Sequence, residues 1–353
     1  MRRVRHAAAA LLTFALSAAA VASAAAQAPT QAAPPMMQPA AKPAAKGEPR
    51  KPTATQAAPA PASAAARHEP DLAYGAYQRG YYITAFSTAT RRVDESKDVK
   101  AMTLLGELYA NGLGVQRDDK KAAEWYRLAA ERGDREAMFA LAMLHFSGRI
   151  EPASREEGAR LLAAAAKLGQ PAAAYDLALL HIEGQLFPQD FARAAALFRR
   201  AAQVGNPEAQ YALATLYKEG RGVPKDPVEA GRLLAAAALA DNTDAQLEYA
   251  IALFNGTGVA KNERLAATLL AKAARKGNPV AQNRLANILA TGRGANANPV
   301  QAIKWHIIAK AGGVSDIPLD AFVQQQPPEV REAGEKAAKP WVDALKELRQ
   351  SRS

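Results

Sequence analysis

Apolar and polar residues along this chain follow a helical period, and that helical pattern itself recurs every 36 residues. From Pro207 onward, Ala209, Leu213 and Leu216 fall on one helical face. Gly220 closes this stripe, because glycine accepts the left-handed backbone that ends a helix. A second stripe follows at Ala230, Leu233, Leu234, Ala237 and Ala238. Asp226 and Pro227 open it, a side-chain N-cap followed by proline at the first helical position; Asn206 and Pro207 open the first stripe in the same way. The unit is therefore a helix A, a glycine-rich turn and a helix B.

The columns persist without insertion or deletion. Ala101, Ala137, Ala173, Ala209, Ala245 and Ala281 form one; Gly112, Gly148, Gly184, Gly220, Gly256 and Gly292 form another; Ala129, Ala165, Ala201, Ala237, Ala273 and Ala309 form a third. The helix A leucine recurs at 105, 141, 177, 213 and 285, with Tyr249 in the fifth unit. Helix B carries Trp125, Leu161, Leu197, Leu233, Leu269 and Trp305 in one column. A fixed period in this range means stacked supersecondary units, each too small to bury its own apolar face. The small residues let helices approach closely, and the leucines fill what remains.

The string Ala101-x-x-x-Leu105-Gly106-x-Leu108-Tyr109-x-x-Gly112-x-Gly114-Val115-x-x-Asp118, continued by Ala122-x-x-Trp125-Tyr126-x-x-Ala129-Ala130-x-x-Gly133-Asp134, resembles a Sel-one-like repeat (SLR), a relative of the tetratricopeptide repeats. The resemblance covers residues 101–314. It implies an all-α fold, a right-handed alpha-solenoid of six stacked helix-turn-helix repeats. The second unit departs at Ile150, Glu151 and Ser154, where glycine, valine and aspartate are expected. The third has Leu186 for the second glycine, and the sixth has Ala295 for valine. The spacing is unchanged, so these departures bear on turn geometry and leave the helices intact.

Both flanks read as closures of the stack. Residues 69–100, with Tyr74, Tyr77, Gly80, Tyr81, Ala85 and Phe86, form a degenerate N-terminal helical hairpin. Residues 315–353 supply C-terminal capping helices, with Pro327, Pro328 and Pro340 expected to break them. Ahead of the stack, residues 1–26 read as a signal peptide: Arg2, Arg3 and Arg5 precede an apolar run, and Ala24-Ala25-Ala26 fits small-x-small cleavage. Residues 27–68 are a Pro/Ala-rich tract whose prolines remove backbone donors, the composition of a disordered linker. These features make the protein exported, with the periplasm the first expectation and the extracellular space the second. Membrane contact is expected only through an uncleaved N-terminal segment.

Charge and chemistry narrow the function. Of the formal +11 over 353 residues, the leader contributes three and residues 27–68 a net four, so about four remain for everything from residue 69 onward. So diluted an excess argues against nucleic acid as a partner. With no cysteine there is no disulfide, thiol nucleophile or cysteine metal site. No nucleophile elbow, His-Glu-x-x-His, P-loop or calcium loop occurs, and no cofactor is expected. The paired turn glycines follow helices, not strands, and read as turn residues. His145 and His181 share a column with Tyr109 and Tyr217, which makes them half-buried stand-ins for tyrosine and not metal ligands.

What remains is surface, and the partner expected is another protein. If the units stack as tetratricopeptide repeats do, helix A lines the concave side. Phe139, Tyr175, Tyr211 and Leu247 then form one groove column, with Thr103 and Asn283 at its ends; Met143 and Leu179 lie one turn on, with Thr215 and Ile251; Phe146, Ile182, Lys218 and Phe254 lie a further turn on. Aligned apolar and aromatic residues suit a partner helix or an extended peptide. For the aromatic column, packing against the neighbouring A helix is the competing reading. The turns carry Arg117, Arg149, Arg221, Lys225, Lys261 and Arg293, either a solvated rim or a basic edge for an anionic partner. Proteins that this chain resembles serve as adaptors and as periplasmic regulators of signalling, including control of surface polysaccharide. A scaffold for cell wall or anionic polymer is the alternative. Relatives credited with β-lactam hydrolysis are cysteine-rich, unlike this chain.

Overall fold

A computed structural model describes residues 71–351. The expected signal peptide and linker lie outside the described residues. Among those described, sixteen helices follow one another: α1 (Leu72–Gln78), α2 (Tyr82–Ser96), α3 (Val99–Asn111), α4 (Asp119–Ala130), α5 (Arg135–Phe146), α6 (Arg155–Lys167), α7 (Pro171–Glu183), α8 (Phe191–Gln203), α9 (Pro207–Glu219), α10 (Pro227–Leu239), α11 (Thr243–Asn255), α12 (Glu263–Arg275), α13 (Pro279–Thr291), α14 (Pro299–Ala311), α15 (Ile317–Gln324) and α16 (Pro328–Gln350). Helices α3 to α14 are the A and B helices of the six units. Each packs on its chain neighbours, which is the layout of an all-α solenoid.

Local chemistry sets each boundary. Asp226 accepts from the Val228 and Glu229 amides at the start of α10, and Asn206 accepts from Ala209 N at the start of α9. Every helix from α3 to α15 begins on such a side-chain cap. Gly220 closes α9 in the left-handed conformation. The turn is then tied back: the cap residue's N–H donates to a carbonyl of helix A, as in Asp118 to Tyr109, Asp190 to His181, Asp226 to Tyr217, Asn262 to Leu253 and Asn298 to Leu289, at 2.8–3.0 Å. The second unit, whose turn sequence departs, lacks this bond; there Ser154 N donates to His145 Nδ1 at 3.3 Å.

The alanine columns form the seams. From Ala101 to Ala281 the first column is at most 2% exposed, and from Ala129 to Ala309 the second is at most 1%. On helix B the fully buried large column is Tyr126, Leu162, Phe198, Leu234, Leu270 and His306, one position after the Trp125 column, most of which is half-buried. A third device, absent from the sequence reading, staples units four to six: Gln210, Gln246 and Gln282 donate side-chain N–H to Ala202, Ala238 and Ala274 O of the preceding helix B.

The second turn glycine makes the contact between units. A Cβ on Gly258 would lie 1.9 Å from Pro227 O, on Gly222 2.2 Å from Phe191 C, and on Gly294 2.3 Å from Glu263 O. One unit's turn thus rests on the backbone that starts the preceding helix B. The C-terminal closure differs from expectation in one respect. Pro340 breaks nothing: α16 runs through it. The carbonyl that it leaves without a helical donor belongs to Lys336 on the exposed side, open to solvent. The helix is anchored instead by Gly334 against Ile303 and by Trp341 against Trp305, with ring centroids 5.3 Å apart.

Two glycines separate backbone strain from backbone contact. Both Gly205 and Gly258 have positive φ, but nothing lies near a Cβ on Gly205. Gly205→Ala is expected to cost about 1–2 kcal/mol for the left-handed backbone. Gly258→Ala is expected to lose a further ~1–3 kcal/mol through the displaced seam. Urea denaturation of both variants checks the difference, and equal losses would refute the seam.

Candidate functional site

The A-helix face is built from columns that helix geometry places side by side. None of the ten groove candidates is exposed. Leu179 and Leu247 are buried, each at 9%. Phe139, Met143, Phe146, Tyr175, Ile182, Tyr211, Lys218 and Phe254 are half-buried. Two of the aromatic residues, Tyr175 and Phe146, are engaged within their units. The Tyr175 ring lies 5.5 Å from that of Phe198 on helix B, and Phe146 packs where a Cβ on Gly158 would touch it at 2.9 Å. Burial raises the Tyr211 phenol's pKa above its ordinary value, with Glu248 adding to the effect. Lys218 bridges two A helices through Glu248 Oε2 at 2.8 Å.

Between α11 and α13 this face opens into a cavity of about 420 Å³. Two of the groove candidates, Phe254 and Ile251, line it, together with Asn255, Asn287 and Arg284. All three were missed, although Asn287 stands in the Met143 column and was legible there. Asp316, the cap of α15, accepts from Asn283 and Asn287 Nδ2 at 2.8 and 2.9 Å. Burial opposes its ionisation, yet these amides and the Leu319 N–H hold the carboxyl below its usual range. The A face thus changes from thioether and aliphatic at Met143 and Leu179 to amide and guanidinium at Asn287 and Arg284.

The turn cations are mostly neutralised in place. Arg117 pairs with Asp119 at 3.1 Å, Arg221 with Glu219 at 3.3 Å, and Lys261 and Arg293 with Glu263 at 3.0 and 2.7 Å. Arg149 also pairs with Asp119 and donates to Ala110 O at 2.7 Å. Arg293 and Arg221 lie over the Phe254 and Phe191 rings, 4.6 and 4.0 Å from the centroids. Only Lys225 among the six has no such carboxylate among the described residues. No group of three or more histidines and carboxylates there is placed to hold a metal ion.

A larger cavity, about 780 Å³, lies on the other side, between α4 and α6 over α5. The sequence reading did not select it. Its signal was the second unit's irregular turn, since Ile150 and Pro152 line it and His145 sits in its wall.

A model of the Sel1 repeat matches residues 99–134, 135–170, 171–206, 207–242, 243–278 and 279–314. The chain belongs to the Sel1 repeat family. Two solved structures share the fold of this Sel1 repeat chain. One is c5321, described as a protective antigen of uropathogenic Escherichia coli strains with an SLR fold: 24% identity, TM-score 0.66, covering 78% of this chain and 62% of that one. The chain thus spans less than two thirds of that antigen's length. The other is a Sel1 repeat protein from Oxalobacter formigenes: 27% identity, TM-score 0.59, covering 69% of this chain and 97% of that one. No curated protein matches the chain.

The His145 contact predicts a pH response. Burial holds its imidazole below the ordinary 6.5; Glu157 opposes this and Arg127 adds to it. The folded state therefore favours the neutral ring, whose Nδ1 accepts from Ser154. That contribution is present above pH 6.5 and is lost as pH falls through the depressed value. Hydrogen exchange from about pH 7.5 to about pH 5 should show the Ser154 amide losing protection relative to the Asp226 amide. An unchanged ratio would refute the assignment.

Proposed function

We propose that this chain is a non-enzymatic docking scaffold of the bacterial cell envelope, exported by its N-terminal segment, whose A-helix face holds a protein partner. Sel1 repeats generally mediate contact between proteins. The observation that carries the reading for this chain is the A face itself: its columns are set in a rigid stack, and they open at Ile251, Asn255 and Asn287. A preformed surface spends little of its binding energy on ordering. Apolar residues at one end and amides at the other suit a segment with an apolar stretch followed by exposed peptide groups. The finer reading is a periplasmic regulator of envelope signalling or surface polysaccharide, for which the resemblance and the export-like leader are the support.

The wall-polymer alternative is the weaker one. A polyanion needs free cations, and five of the six turn cations already face carboxylates. Sedimentation with peptidoglycan across a salt series tests it; binding lost on deleting residues 27–68 favours the polymer. Nitrocefin turnover by the purified protein is expected to stay at the uncatalysed rate.

Photo-crosslinkers at Met143 and Ile251 are expected to trap one envelope protein in cells, and one at Arg232 on helix B is not. Met143→Glu with Ile251→Glu should abolish the capture without changing helicity by circular dichroism. Capture from Arg232 with none from the A face would overturn the reading.

A further inference from the structure

The groove between α4 and α6 has an apolar floor: Met138, Leu161 and Ala164 are half-buried and Pro152 is exposed, above the buried Leu141 and Ile150. Its α4 lip carries Lys120, Glu124, Arg127 and Glu131, all exposed. Spaced by four, three and four residues, they fall on one stripe of the helix. None of the four forms an ion pair among the described residues. By contrast, Arg160 on the opposite lip is held by Glu157 at 2.7 Å.

The charge row reads plus, minus, plus, minus; its spacing is palindromic, and reversing it inverts every sign. Turned end over end it becomes minus, plus, minus, plus. A second α4 laid antiparallel, about a two-fold axis between Glu124 and Arg127, therefore sets Lys120 against Glu131 of the second copy and Glu124 against Arg127 of the second copy, each pair formed twice. That is the condition for an isologous contact. The row belongs to the first unit alone. The equivalent positions read Glu156, Arg160, Ala163 and Lys167 in the second unit and Ala192, Ala196, Arg199 and Gln203 in the third. In the fourth they read Val228, Arg232, Ala235 and Leu239, and no later unit carries an acid there.

The geometry points to a homodimer formed through the α4/α6 groove, two copies of this chain meeting antiparallel along α4. The apolar floor supplies the driving force, and the aliphatic stems of Lys120 and Arg127 lie over it while their heads reach the opposing carboxylates. The charge row fixes orientation and partner more than it adds affinity. The sixteen residues lining the groove approach the roughly 20–30 that a stable interface takes from each side. The groove faces away from the A helices, so each copy keeps its docking face and the dimer is bivalent. Failure of the dimer leaves the docking function untouched.

Analytical ultracentrifugation of the full chain tests this. Wild type is expected to sediment as a dimer in the micromolar range. Lys120→Glu with Arg127→Glu makes the row all negative; Glu124→Lys with Glu131→Lys makes it all positive. Each double variant should associate at least tenfold more weakly, with unchanged helicity, and an equimolar mixture of the two should regain the dimer mass. Three results would each overturn the proposal: a monomeric wild type, a double variant that still dimerises, or a mixture that stays monomeric.

Discussion

In four of the six units the stack rests on one backbone contact. A turn without side chain at Gly222, Gly258 and Gly294 lies directly on the first residues of the preceding helix B. Alanine seams bring helices together within and between units, but small residues alone leave the angle between units free. The glycine contact removes that freedom, because backbone against backbone has one depth of approach. Side-chain bonds add to it: Arg293 reaches from the sixth turn to Glu263, and in the second unit, which lacks the glycine, Arg149 reaches Asp119. Their worth in stability is small at such a surface. Their consequence is larger, since they occupy the cations that would otherwise make the rim a polyanion site.

Where the contact is broken, the surface changes. The second unit has Ile150 in place of the glycine, and Ile150 is buried at 6%. A side chain of that size cannot lie flat on the preceding backbone. The turn of residues 150–154 takes another course, its cap N–H goes to His145, and the larger cavity opens beside it. The third unit carries Leu186 in the same column and keeps its tie from Asp190 to His181, so it is the second unit's combined changes at Ile150, Glu151 and Ser154 that accompany the unusual hydrogen bond and the groove with an apolar floor.

Much was legible along the chain. Helix boundaries followed from Asp226, Asn206 and Gly220, because caps and left-handed stops act within a few residues of sequence. The alanine columns gave the seams for the same reason. The groove columns gave positions but not exposure. Tyr175 and Phe146 prove to be engaged with helix B of their own units, whereas Phe254 and Ile251 line an opening. An aromatic column looks the same in sequence whether it is covered or bare. Pro340 shows a related limit: its cost depends on whether the orphaned carbonyl faces water, and that is a property of how α16 lies on α14.

By itself, then, the sequence determined the period, the two-helix unit, its caps and stops, and the small-residue seams, all of which arise from interactions between residues close in the chain. Only the tertiary structure decided that the second glycine is a contact between units, that Arg149 and Arg293 reach Asp119 and Glu263 of the preceding unit, and that open space lies beside Ile150 and between α11 and α13. These depend on which atoms meet across thirty or more residues, and a one-dimensional pattern carries no distances at that range.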